Sequence, residues 1–115
     1  MGFTNDRQLA ACCRALCGRA RLAYYWTLEG PTDAALAIRD GRDPLSHGES
    51  ILVRAAWAFW NGEGGLKLGE IIEALDTDHA EALCLLVVAM KRGGRDVDAW
   101  LERFGERATS RRVDA

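Results

Sequence analysis

Two stretches of the chain are apolar on nearly every side: Ile51–Trp60 (ILVRAAWAFW) and Ala80–Met90 (AEALCLLVVAM). Each is too short to span a bilayer, which takes ~20 apolar residues. Each is also too apolar for a surface helix, which would carry a polar face. They therefore predict an all-α fold, a compact bundle of five to six helices around two central apolar helices at 47–61 and 78–91.

Capping residues support the first of these helices. Ser46-His47-Gly48-Glu49 has the spacing of a capping box directly before the apolar run, and Asn61-Gly62 is a typical left-handed stop. For the second helix, Thr77 is the expected cap and Gly93-Gly94 the expected end.

Shorter periodic stretches predict the surrounding helices. One is expected at about 32–39, another at 66–75, and a last one from the cap Asp96 to about Phe104. In the 66–75 helix four apolar residues are expected to face inward, while Glu70 and Glu73 point outward: Leu68, Ile71, Ile72 and Leu75.

The segment Leu22–Leu28 (LAYYWTL) allows two interpretations. Helical spacing that begins near Leu9 continues through it, although Gly18 interrupts the pattern. Its β-branched and aromatic composition also suits a strand. Because we find no partner strand elsewhere in the chain, we expect helix, either continuous from the first helix or broken near Gly18.

The chain has 115 residues, which suggests one domain. We expect a single helical domain over 1–105 and a polar C-terminal tail over 106–115. The start of the chain lacks the pattern of a secretory signal, and no run is apolar enough to cross a membrane, so we expect a cytoplasmic protein without membrane association.

The charge is distributed unevenly along the chain. The net charge is −2, but residues 31–90 carry ten acidic and four basic residues, while both ends are mildly basic. An acidic segment is opposed within its bounds only by Lys67 and contains Glu63, Glu70, Glu73, Asp76, Asp78 and Glu81. This segment is a candidate surface for a basic protein partner, although a solvated helix face has the same appearance.

Aromatic residues add a second partner hypothesis. Trp57, Phe59 and Trp60 lie on one helix and point in different directions, about 100° apart per residue. Trp57 and Trp60 are therefore candidate partner anchors at the surface or an interface, and the alternative is that all these aromatic residues lie in the monomer core. The same surfaces would allow a homodimer or another homo-oligomer.

No catalytic or metal-binding motif stands out. Cys13 and Cys17 have the i, i+4 spacing that grips zinc, with Cys84 or a histidine as further ligands. The chain has no C-x-x-C pair, and buried cysteine is common, so we assign no metal and no cofactor. The two histidines, His47 and His79, belong to no catalytic constellation, and we expect a protein that is not an enzyme.

The sequence therefore predicts a small helical protein-interaction or regulatory module, in the style of an inhibitor or accessory protein. The alternative is a nucleic-acid-binding regulator that uses the basic residues near both ends. Its candidate contacts at the C-terminal end are Arg103, Arg107, Arg111 and Arg112. The acidic segment between the ends disfavours this alternative, because it would repel phosphates.

Overall fold

A computed structural model describes residues 6–42 and 45–105 of the protein. Six α-helices make up most of these residues: α1 (Asp6–Arg19), α2 (Asp33–Arg39), α3 (His47–Asn61), α4 (Leu68–Ala74), α5 (Thr77–Arg92) and α6 (Gly94–Phe104). Between α1 and α2 lie a 3₁₀ turn, Ala23–Tyr25, and the two-residue strands β1 (Trp26–Thr27) and β2 (Gly30–Pro31). The predicted all-α bundle is confirmed.

The expectation that Leu22–Leu28 is helical is wrong. Helix α1 ends at Arg19. Two residues later, Arg21 adopts the left-handed conformation (φ 64°), and the Leu22 N–H donates to the Cys17 carbonyl. This is the Schellman arrangement, in which glycine usually occupies the left-handed position. The missing partner strand is Gly30–Pro31, which pairs antiparallel with Trp26–Thr27 across a tight turn.

Helices α1 and α3 lie together at the centre of the core, because both contribute to its two clusters, whereas α5 contributes to only one. One cluster of buried side chains joins Ala10, Cys13 and Cys17 of α1 to α2, α3 and the hairpin. A second cluster joins another side of α1, with Cys12 and Leu16, to α3, α5 and α6. Because its buried residues are mostly alanine and cysteine, α1 allows close packing on both sides.

Two tryptophans attach the outer helices. The Trp57 indole N–H donates to the Ala35 carbonyl at 2.8 Å, which holds α2 against α3. The Trp100 indole N–H donates to the Ala82 carbonyl at 2.8 Å, which holds α6 against α5. A buried indole N–H without such an acceptor would be costly, so these bonds favour one orientation of each helix pair.

Helix α5 has only one buried side. Ala82, Leu83, Leu86 and Ala89 face the core. Cys84 and two valines on the opposite side are exposed, which corrects the expectation that the whole helix is internal. Consecutive residues on a helix point about 100° apart, so a run such as Leu85-Leu86-Val87-Val88 cannot all face one core.

Several predicted helix ends shift by one to three residues. The capping box at Ser46 and Glu49 and the left-handed Gly62 (φ 82°) are confirmed. Asp76, not Thr77, caps α5, and its carboxylate accepts the His79 N–H at 2.9 Å. Helix α6 begins at Gly94, before the expected cap Asp96.

The proposed tail, 106–115, lies outside the described residues, so the boundary at 105 stays a prediction. Within the described part of the chain, no helix combines the length and the apolar character that a bilayer crossing requires. The cytoplasmic location also stays a prediction.

The close packing of α1 generates a stability prediction. Ala15 on α1 is buried against the neighbouring helices. Ala15→Leu should therefore overpack the core and lower the free energy of unfolding by about 1–3 kcal/mol. Ala99 on α6 is exposed, and Ala99→Leu should change stability by less than ~0.5 kcal/mol. Urea unfolding of both variants measures the difference, and equal effects would show that α1 has room for a larger side chain.

Candidate functional site

Half of the predicted acidic site is engaged in ion pairs with arginines of the same chain. A Glu63 carboxylate oxygen lies 3.3 Å from Nη1 of Arg39, and a Glu81 oxygen lies 3.5 Å from Nη2 of Arg103. Glu70 pairs with Arg54 at 2.8 Å. These three carboxylates therefore offer a partner less charge than the sequence suggests.

The other three acidic residues lie on α4 and at the start of α5. Asp76 caps α5, and its second carboxylate oxygen lies 3.8 Å from Nε2 of His79. Glu73 and Asp78 are exposed, and within residues 6–42 and 45–105 neither side chain forms a hydrogen bond or an ion pair. The negative charge open to a partner is thus concentrated around the turn between α4 and α5.

Arg54 joins α3 to the loop before α4 and to α4 itself. Its guanidinium donates from Nε to the Gly64 carbonyl at 2.8 Å and from Nη2 to the Gly65 carbonyl at 2.7 Å. Nη1 and Nη2 also donate to the two oxygens of Glu70, at 2.8 and 2.9 Å. Such a bidentate pair fixes direction as well as distance.

The environment of Glu70 corrects the expectation that it points freely outward. Its side chain is 25% exposed, and the Lys67 N–H donates to Oε1 at 3.1 Å. Chiefly because Arg54 donates hydrogen bonds to the carboxylate, the pKa of Glu70 falls to about 2 from an ordinary value of 4.5. Glu70 is therefore a structural residue that holds α4 in place.

An apolar groove runs between α3, α4 and α5. It encloses about 280 Å³, and its walls are almost entirely hydrocarbon: Ala55, Ala58, Phe59, Leu66, Leu68, Ile71, Leu83 and Val87. Leu68 and its helix neighbour Ile72, both expected to face inward, are instead 79% and 80% exposed. Leu68 lines the groove and Ile72 lies one turn further along α4, so large apolar side chains in water extend the apolar surface of the groove, which is typical of a contact surface.

Sequence reasoning missed most of this groove. Val87 is expected inside because its helix is apolar on nearly every side, yet it is exposed and lines the groove. No sequence signal indicates the exposed part of α4, because the spacing of Leu68, Ile71, Ile72 and Leu75 is that of a single buried helix side.

The two tryptophans proposed as partner anchors lie apart from the groove. Trp57 is 2% exposed, so its assignment as a partner contact is wrong. Its ring packs edge-on against Trp26 with centroids 5.1 Å apart. Trp60 is half-buried, packs against Trp26 at 5.7 Å, and stays a candidate anchor on that side of the molecule.

The cysteines and histidines do not come together. Cys12, Cys13 and Cys17 are buried, whereas Cys84 is exposed on α5. Burial raises the pKa of the Cys12 and Cys17 thiols to about 12 and that of Cys13 further, and the Cys13 thiol donates to the Ala56 carbonyl at 3.3 Å. Among the described residues, no group of three or more His, Cys, Asp or Glu side chains is arranged to hold a metal ion.

The basic residues of the alternative hypothesis are partly engaged within the fold. Arg14 donates to the carbonyls of Ala23 and Trp26, and Arg19 donates to Nδ1 of His79 at 2.9 Å. Arg103 stacks on the Phe104 ring and pairs with Glu81. The remaining C-terminal arginines, Arg107, Arg111 and Arg112, lie outside the described residues.

The loop held by Arg54 generates a prediction on two glycines. Gly64 has φ 98°, and a Cβ there would lie 2.7 Å from the Arg54 carbonyl oxygen, whereas a Cβ on Gly62 (φ 82°) meets nothing within 4 Å. Gly62→Ala should cost about 1 kcal/mol of stability through backbone strain alone. Gly64→Ala should cost ~1–3 kcal/mol more, because the backbone must also move. Urea unfolding compares them, and equal losses would contradict the close approach.

The Arg54–Glu70 pair generates a pH prediction. Because folding lowers the pKa of Glu70, the stabilisation is complete above the ordinary pKa of 4.5 and is lost as the pH falls toward 2. Glu70→Gln should therefore be less stable than wild type near pH ~6, and the difference should shrink by pH ~3. Urea midpoints at both pH values measure this, with Glu29→Gln as a control. A difference independent of pH would contradict the pairing.

Comparisons with known proteins find no significant match to this chain. No protein-family model matches this chain. No curated protein and no solved structure is significantly similar to it.

Proposed function

We propose that the protein is a helical interaction module whose groove between α3, α4 and α5 binds a basic amphipathic helix of another protein. The observation that supports this proposal most strongly is the pair of exposed side chains, Leu68 and Ile72, beside an apolar groove. Side chains of this size lose contact with water when an apolar helix face covers them, which is favourable by about 25 cal/mol per Å².

The groove has dimensions and chemistry that suit a helix. Its walls come from three helices, so a fourth helix can lie on them with its apolar residues one and two turns apart inserted between the wall side chains. The walls offer few hydrogen-bonding groups, which disfavours an extended peptide, because its backbone would lose water without gaining partners.

The charge of the bound helix follows from the carboxylates that have no arginine partner. Glu73 comes directly after Ile72 on α4, and Asp76 and Asp78 follow at the next turn of the chain. A helix with lysine or arginine along its polar side would meet these carboxylates as it leaves the groove. The pairs made by Glu63, Glu70 and Glu81 mean that fewer charges contribute than the six acidic residues of the sequence suggest.

The test uses two synthetic helices of about 18 residues, long enough to cross the groove, with leucines at helical spacing and either lysine or glutamate on the polar side. Fluorescence anisotropy should show binding of the lysine peptide and at least ~10-fold weaker binding of the glutamate peptide. Ile72→Ser and Glu73→Lys should each weaken binding of the lysine peptide by ~3-fold or more.

Two matched variants serve as controls. Tyr24→Ser removes an exposed aromatic residue outside the groove, and Glu29→Lys makes the same charge change as Glu73→Lys at the hairpin. Both should bind like wild type. If they weaken binding as much as the groove variants do, the interaction is general charge attraction and the proposal fails.

A further inference from the structure

We propose that two copies of the protein associate through their α5 helices, packed antiparallel about a two-fold axis beside Cys84. The proposal does not depend on a partner in the groove. It arises from the side of α5 that faces solvent, where Cys84, Val87 and Val88 are exposed.

The exposed side of α5 has the spacing of a helix–helix seam. Thr77, Glu81, Cys84, Val88 and Lys91 are separated alternately by four and three residues. This spacing keeps side chains along one line of a helix that packs against another, as in a coiled coil. Cys84 and Val88 are the apolar residues of that line, Glu81 lies on the other side of Cys84, and Thr77 and Lys91 lie at the ends.

The charges at the two ends of α5 specify the antiparallel direction. Asp76, Asp78 and Glu81 lie at its start, and Lys91 and Arg92 lie at its end. Arg92 follows Cys84 by eight positions and Asp76 precedes it by eight, so an axis beside Cys84 places each Arg92 opposite Asp76 of the second copy. A parallel pair would place like charges together, and antiparallel helix dipoles also attract.

These charges remain available for a second copy. Within the described residues, the side chains of Asp78, Lys91 and Arg92 form no ion pair or hydrogen bond. Among residues 6–42 and 45–105, the Asp76 carboxylate forms hydrogen bonds or ion pairs only with His79. Glu81 and Arg103 form an exposed pair at 3.5 Å, which contributes little and can rearrange.

The size of the surface sets the strength of the association. Sixteen residues give α5 a length of about 24 Å. One helix pair of that length buries less than the ~800 Å² per partner of a standard interface. We therefore expect a dimer that forms and dissociates with protein concentration.

Sedimentation velocity over a concentration series should show a monomer–dimer equilibrium. Val88→Glu should weaken the association by ~10-fold or more, because in this register it places a carboxylate beside Glu81 of the second copy. The control variant Ile72→Glu also replaces an exposed apolar residue with an acidic one, but on α4, and it should leave the association unchanged. A monomer at every concentration would overturn the proposal, and so would a dimer sensitive to Ile72→Glu but not to Val88→Glu.

Thiol cross-linking tests the register and direction. A short bismaleimide should join two wild-type chains through Cys84, because the other three thiols are buried, and Cys84→Ser should abolish the product. In the Cys84→Ser background, chains with Thr77→Cys should not cross-link to themselves but should cross-link to chains with Lys91→Cys. Self-linking of Thr77→Cys chains would indicate parallel packing and contradict the proposal.

Discussion

The guanidinium of Arg54 forms the hydrogen bonds that position α4 and the loop before it. It is held on α3 and binds two loop carbonyls and both oxygens of Glu70. The loop and α4 are therefore positioned by directional hydrogen bonds from one buried helix. Gly64 passes so close to the Arg54 carbonyl that a Cβ would not fit there, so this arrangement requires glycine at that position.

This polar anchoring explains why α4 exposes apolar residues. Helix α4 has no fully buried residue, so the ion pair and backbone bonds of Arg54 add to the partial burial of Ile71 and Leu75 in fixing its position. The side of α4 that faces α3 is partly occupied by the Glu70 carboxylate. Leu68 and Ile72 consequently lie toward solvent, and the space between α4 and α5 stays open as the groove.

Local signals in the sequence predicted the helical class, the capping box at Ser46 and the left-handed stop at Gly62, because each depends on neighbouring residues. The hairpin was missed because its second strand, Gly30–Pro31, is two residues long and lacks any strand-like composition. The central place of α1 was missed because burial was judged from large apolar side chains, whereas alanine and cysteine allow the closest approach.

The candidate site depended on contacts between residues distant in sequence, which composition does not reveal. Arg54 and Glu70 are sixteen positions apart, and Glu81 and Arg103 are twenty-two apart. An acidic cluster in a sequence is therefore an upper limit on the charge that a folded surface presents. The carboxylates without an arginine, such as Glu73, became identifiable only once these pairs were known.

The placement of the four thiols has a consequence for how unfolding can be followed. Three of them lie on α1, which contributes to both core clusters, and burial raises the pKa of each well above neutral pH, while the fourth is in contact with water. An alkylating reagent at neutral pH should thus add once to the native chain and reach the other three sulfurs only when α1 separates from its neighbours. Mass spectrometry of the adducts would then count native and opened molecules directly.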